Sequence, residues 1–145
     1  MLNDPVIAGV YPIDSNKEES YVWTIDEDMI NGIIPVHAAV LGLSGKDNYE
    51  VSFTITDPNR KTAIKIVQLT NGMILADGAE MEPHRYRLTV DTEVQLQITP
   101  GLYKLQCRLL KDKKVVSNGK AFFYCKKIEK PTEPVEEKTE EKAEK

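Results

Sequence analysis

The sequence is poor in the residues that carry most enzyme chemistry. Among its 145 residues, two are Cys and two are His. Cys107, Cys125, His37 and His84 share none of the short spacings of a structural zinc site, which takes about four N or S ligands. No metal and no cofactor are expected. Two isolated thiols without a Cys-x-x-Cys read as buried hydrophobes rather than a bridge. The start, Met1-Leu2-Asn3-Asp4-Pro5-Val6, has neither the basic region nor the apolar stretch of a signal peptide, so a cytoplasmic location is the expectation. The longest mainly apolar run, 33–43, is interrupted by Pro35, His37 and Gly42 and is too short for a membrane-spanning helix. No membrane partner is expected. Gly42-Leu43-Ser44-Gly45 is too short for a phosphate loop and opens no helix. Ser44 does not sit in a Gly-x-Ser-x-Gly elbow.

Charge of one sign is also scarce. Lys and Arg number 19 against 23 Asp and Glu, a net charge of −4. A general nucleic-acid binder needs a basic field, so DNA and RNA are excluded as expected partners. Hydrophobic residues make up 41 %, enough for a core without staples. The end of the chain changes character: 126–145 holds 6 Lys and 7 Glu, with Ile128, Val135 and Ala143 as its apolar residues. Such a stretch buries too little to offset its ordering entropy. The expected organisation is one domain over 1–127 and a disordered, charged Glu/Lys-rich tail over 128–145.

What is present is alternation. Tyr49, Val51, Phe53 and Ile55 share one side of an extended segment; Glu50, Ser52, Thr54 and Thr56 share the other. Asp57-Pro58-Asn59-Arg60 reads as a type I turn. Residues 62–69 supply the return strand, and Asn71-Gly72 signals a further hairpin leading into Met73-Ile74-Leu75. From Tyr86 to Ile98 alternation runs long, and Asp91-Thr92-Glu93 predicts a bend or a turn in its middle. Tyr103, Leu105, Cys107 and Leu109 alternate with Lys104, Gln106 and Arg108. A turn at 111–114, a bend or bulge at Ser117-Asn118-Gly119 and a last strand over 121–125 follow. Segments 6–10, 21–24 and 33–43 are further strands. Thr24-Ile25-Asp26-Glu27 fits a capping box, so a short helix is predicted over 25–30, stopped by Asn31-Gly32. The sum is an all-β chain: an immunoglobulin-like antiparallel β-sandwich of about seven to nine strands.

Gly101-Leu102-Tyr103-Lys104-Leu105-Gln106-Cys107 resembles the Gly-x-Tyr-x-hydrophobic strand of immunoglobulin-like modules, whose Tyr makes a corner near the start of the penultimate strand. In antibody-type domains that Tyr sits two residues before Cys, whereas Tyr103 sits four before Cys107. Trp23 also precedes nearly all the strands. The order strand, Asp57-Pro58, strand, loop, Pro100-Gly101-x-Tyr103, final hairpin is similar to small bacterial or phage immunoglobulin-like β-sandwich proteins of unknown function. The Glu/Lys-rich end is similar to proteins of low-GC bacteria or their phages. The resemblance implies a fold and transfers no activity.

Three groups of residues are candidates for a site. His84, Arg85 and Arg87 make a small cationic group, in which two arginines two apart on a strand point the same way toward an anion. Tyr21 and Trp23 share one face of an early strand and suit a sugar platform or a protein contact; a place in the core is the alternative. Asp26, Glu27 and Asp28 lack the spacing that wraps calcium and suit a helix start. His37 reads as a packed or edge histidine. No catalytic constellation emerges. The expected function is a non-catalytic protein-binding or adaptor module using a sandwich edge or loop end. The alternatives are a self-assembling structural subunit of virion type and a carbohydrate-binding module. A protein partner or a second copy of the chain is expected.

Overall fold

Alternation is realised without a break from Tyr49 to Thr56: Tyr49, Val51, Phe53 and Ile55 are all buried, and the residues between them are not. The computed structural model describes residues 4–128. In chain order the elements are β1 (Val6–Pro12), β2 (Val22–Ile25), β3 (Ile30–Ser44), β4 (Tyr49–Thr56), β5 (Thr62–Leu69), α1 (Asn71–Asp77), β6 (Ala79–Glu82), β7 (Arg85–Ile98), β8 (Gly101–Lys111) and β9 (Lys114–Lys127). The strands form two curled sheets, ordered β1-β3-β7-β6 and β2-β9-β8-β4-β5. All pairs are antiparallel except one: β2 runs parallel to β9, Val22 beside Tyr124 and Ile25 beside Lys127. Among the described residues no helix is long and apolar enough to cross a membrane.

The core lies between the sheets. Val36, Ala38, Val40, Val51, Phe53, Ile55, Tyr103, Leu105, Cys107 and Leu109 are fully buried, and no polar or charged residue is buried among those described. Tyr103 makes the expected corner at the start of β8: its hydroxyl donates to the Thr99 carbonyl at 2.7 Å and accepts from the Thr99 N–H at 2.8 Å. Its ring stacks on Phe123 with centroids 4.9 Å apart. Gly101 before it has φ +139°, and a Cβ there would meet the Pro58 ring at 2.5 Å. Cys107 stands beside Phe53 on β4, and Cys125 lies beside Gly101, far along the sheet. Both thiols are free and buried; their separation along β8 and β9 exceeds what a disulfide spans.

Pro35 in the middle of β3 is tolerated because β1 stops there. The β1 ladder ends at Pro12–Val36, and the Pro35 carbonyl accepts from the Ile13 N–H at 3.0 Å. The missing donor therefore falls where the ladder has already ended.

Four local expectations need correction. No helix forms over 25–30: Ile25 closes β2 against β9, residues 26–28 bend, and β3 starts at Ile30. Edge pairing and burial of Ile25 outweigh the capping box. Asp28, expected at a helix start, instead pairs with Lys127 at 2.7 Å, which holds its carboxyl below the usual range. Asn71-Gly72 is no hairpin turn but the first turn of α1. Thr70 caps it, accepting from the Met73 N–H at 3.2 Å, and Ile74 anchors it in the core. The segment 85–98 does not bend at Asp91-Thr92-Glu93; those residues keep register with His37, Val36 and Pro35. The bulge expected around Ser117 falls one residue earlier, where Val116 is skipped between the Leu109–Ser117 and Leu110–Val115 pairs. The turn at Asp57 forms as expected, with the Asp57 carboxylate accepting from the Asn59 and Lys61 N–H groups. The expectation for the charged tail falls, from residue 129 on, outside the described residues.

Candidate functional site

The β6–β7 hairpin turns on Pro83 and His84, with Glu82 paired to Arg85 across it. His84 has φ +68°, the left-handed position that follows Pro in a type II turn. Arg85 and Arg87 keep to the same outward side of β7, but one of them has a partner within the fold. Arg85 Nη1 donates at 3.0 Å to the carbonyl of Gly42, whose φ of +85° marks the bulge in β3. Arg85 thus clips a bulge. Arg87 is exposed and has no partner among the described residues.

Tyr21 and Trp23 part company. Trp23 packs on the core, with its indole N–H donating to the Ser20 carbonyl at 3.0 Å. Tyr21 lies outside β2, and its hydroxyl donates to Glu19 at 2.6 Å. That hydrogen bond first, then desolvation and the charge of Glu19, push its phenol up to about 12.

The outer side of β1-β3-β7 carries an unforeseen row, Tyr11–His37–Asp91. The imidazole stacks on Tyr11 at 5.0 Å, and its Nδ1 lies 2.5 Å from an Asp91 carboxylate oxygen. The flanking outward residues are Pro35, Ala39, Thr89 and Glu93, so no Ser or Cys stands beside the imidazole in the pleat. Next to this row a groove of about 840 Å³ opens toward β5; its charged lining is Asp14, Lys17, Lys65, Asp91 and Glu93. Mixed signs give it no field that selects one class of ion. Among the described residues no group of three His, Cys, Asp or Glu is placed to hold a metal. Burial pushes the Cys107 thiol up to about 12, which removes it as a nucleophile near neutral pH.

The outward side of β2, β9 and β8 is different. Register places Val22 beside Tyr124 and Tyr124 beside Leu102; Phe122 is one pleat along, opposite Lys104. Val22, Leu102, Phe122 and Tyr124 are between 46 % and 60 % exposed. They lie in adjacent register positions as one exposed apolar group with two aromatic rings, the kind of side chain that anchors interaction surfaces. Around it, the charged outward residues are Lys104, Arg108, Lys120 and Lys126. The outward positions of these three strands include no acid, and none of the four cations has an ion-pair partner among the described residues. The sequence displays Lys104, Gln106 and Arg108 as a polar side of β8. It hides Phe122 and Tyr124, because 121–125 is an unbroken apolar run in which the inward residues are fixed only by pairing with β8.

No protein-family model matches the chain, and no curated protein matches it in sequence. Solved structures do match in fold. A glycosyl hydrolase family 2 member from Bacteroides cellulosilyticus DSM 14838 is similar at 18 % identity and a TM-score of 0.50, over 83 % of this chain and 15 % of that one. A bacterial adhesin from Mobiluncus mulieris, containing intramolecular disulfide, isopeptide and ester cross-links, is similar at 9 % identity and a TM-score of 0.48. That match covers 79 % of this chain and 52 % of the adhesin. The chain thus spans about 15 % of the length of the hydrolase. At such identities the likeness extends to the fold alone: the chain is a small all-β domain of two packed sheets.

Proposed function

We propose that the chain is a non-catalytic protein-binding module that takes its partner onto the outward side of β2, β9 and β8. The observation that carries this reading is the set of four large apolar side chains, Val22, Leu102, Phe122 and Tyr124, left half exposed in adjacent register positions. Aromatic side chains on a rigid sheet suit the anchor positions of protein interfaces, and a charged rim sets orientation and encounter rate. The rim here is basic, so the partner presents an acidic border around an apolar contact. Nucleic acid fits less well, because the chain as a whole carries −4.

The test uses the tagged full chain. A protein captured from the native host is identified by mass spectrometry, purified and titrated against three forms of the chain. Phe122→Ala/Tyr124→Ala should weaken binding by at least tenfold, while Ile64→Ala/Ile66→Ala on β5 should bind as the parent does. Equal affinity for all three overturns the reading.

A second reading, a self-assembling subunit, is favoured by β5. This strand is an edge, pairs with β4 over its whole length, and leaves Ile64 and Ile66 more than half exposed. Long apolar edges recruit further strands. Solution mass across a wide concentration range decides: growth that Ile66→Lys abolishes supports self-assembly, and a constant monomer mass removes it.

A further inference from the structure

We propose that the Glu-rich segment 129–145 of this chain is itself a ligand of the β2-β9-β8 side and occupies it until a protein partner displaces it; this rests on that side being a protein-binding surface. Charge is the first argument. Lys104, Arg108, Lys120 and Lys126 stand on that side without an acid among the outward positions of its three strands. Segment 129–145 holds seven Glu and four Lys, so it carries the opposite sign. On the other sheet, β7 turns Asp91 and Glu93 outward beside β3, and those carboxylates repel such a segment.

Connection is the second argument. The Ile128 N–H donates to the Ile25 carbonyl at 2.7 Å, which ties the end of β9 to the end of β2. The segment therefore starts at the margin of the patch, two residues beyond Lys127. Lys126 and Lys120 lie six residues apart along β9, which is roughly 20 Å of strand. The 17 residues of 129–145 reach at most about 60 Å when extended, so they cover that distance with length to spare. Tethering at this range gives an effective concentration on the order of millimolar. Each exposed ion pair is weak and screened, so occupancy comes from several acting together and yields to salt. Val135 is the one large apolar side chain the segment offers to Phe122 and Tyr124.

The consequence is competition. A partner must carry more acidic charge or a better apolar anchor than 129–145, and its association should quicken when the segment's glutamates are replaced.

The test keeps the chain whole. A nitroxide is attached at Ala143→Cys in isotope-labelled protein; Cys107 and Cys125 are buried and stay unmodified. At low salt the amide signals of Lys104, Lys120, Phe122 and Tyr124 should lose intensity, and those of Asp91 and Glu93 should not. The loss should vanish in Lys104→Gln/Lys120→Gln and in about 1 M salt, where the Debye length falls to ~3 Å. Equal loss on both sheets, or loss confined to residues next to Lys127, overturns the proposal. Loss that appears only between an isotope-labelled copy and a spin-labelled copy gives the site to a second chain and overturns occupancy within one chain. A silent surface here, with partner binding still lost in Phe122→Ala/Tyr124→Ala, overturns this proposal alone. Partner binding retained in that variant overturns the reading of the surface itself.

Discussion

Tyr103 shows how one residue ties local chemistry to the whole sandwich. Its ring fills the core against Phe123, and its hydroxyl closes a two-way hydrogen bond with Thr99. The two roles separate cleanly by mutation. Tyr103→Phe keeps the packing and frees both Thr99 groups, which at ~0.5–1.5 kcal/mol for each neutral bond costs about 1–3 kcal/mol. Tyr103→Ala adds a cavity and should cost about 3–5 kcal/mol. Urea unfolding checks both; for Tyr103→Phe the midpoint should fall with an unchanged slope. This corner was legible in advance through the resemblance of Gly101-Leu102-Tyr103 to the corner strand of immunoglobulin-like modules. Arg85 and Arg87 were legible only as a pair on one side of a strand. That Arg85 turns to the Gly42 carbonyl depends on a bulge 43 residues away, which local pattern cannot display.

Elements were readable where alternation was clean and misread where local and distant interactions compete. β4, β7 and β8 follow their alternation. β7 ignores its polar middle because Asp91 and Glu93 are outward positions in a strand paired on its other side by β3. Thr24–Glu27 and Asn71–Gly72 both carry strong local signals, and both lose to burial of an Ile: Ile25 in β2 and Ile74 in α1. The binding surface was half legible, since the lysines of β8 show as an alternating polar side while Phe122 and Tyr124 sit in a run without period. β5 shows the same tension between edge and core. Lys65 occupies an inward position opposite buried Phe53, yet remains exposed at the open seam toward β7. A charge pointing inward on an edge strand hinders the approach of another strand, so any self-association through β5 is held weak. Lys65→Ile removes that hindrance and adds an apolar side chain worth ~1.5–3 kcal/mol when buried. Self-association in sedimentation should tighten by at least about tenfold, whereas Lys65→Arg should leave it unchanged.

The molecule as a whole keeps its charged residues out of its core. No charged residue is buried among those described, and the ion pairs that do form lie on the surface, as at Lys111–Asp47 and Lys127–Asp28. The buried groups able to take a charge are of another kind; among them the thiols of Cys107 and Cys125 and the phenol of Tyr103 are pushed upward, chiefly by burial. The direction fixes the sign of the pH dependence. Cys107 loses its proton near 9 in the unfolded chain and only at about 12 in the folded one. Between those values the unfolded state binds fewer protons, so stability is full below the lower value and falls as pH rises toward the higher. The slope from one such thiol approaches 1.4 kcal/mol per pH unit. Thermal unfolding should therefore be insensitive to Cys107 below about pH 8 and drop steeply above pH 9. Cys107→Ala lowers stability at neutral pH by creating a small cavity, but its decline in alkali should be shallower, so the two curves converge as pH rises. Parallel curves would show that deprotonation of Cys107 does not drive the alkaline loss, and would shift that role to Tyr103, whose Phe variant supplies the same comparison.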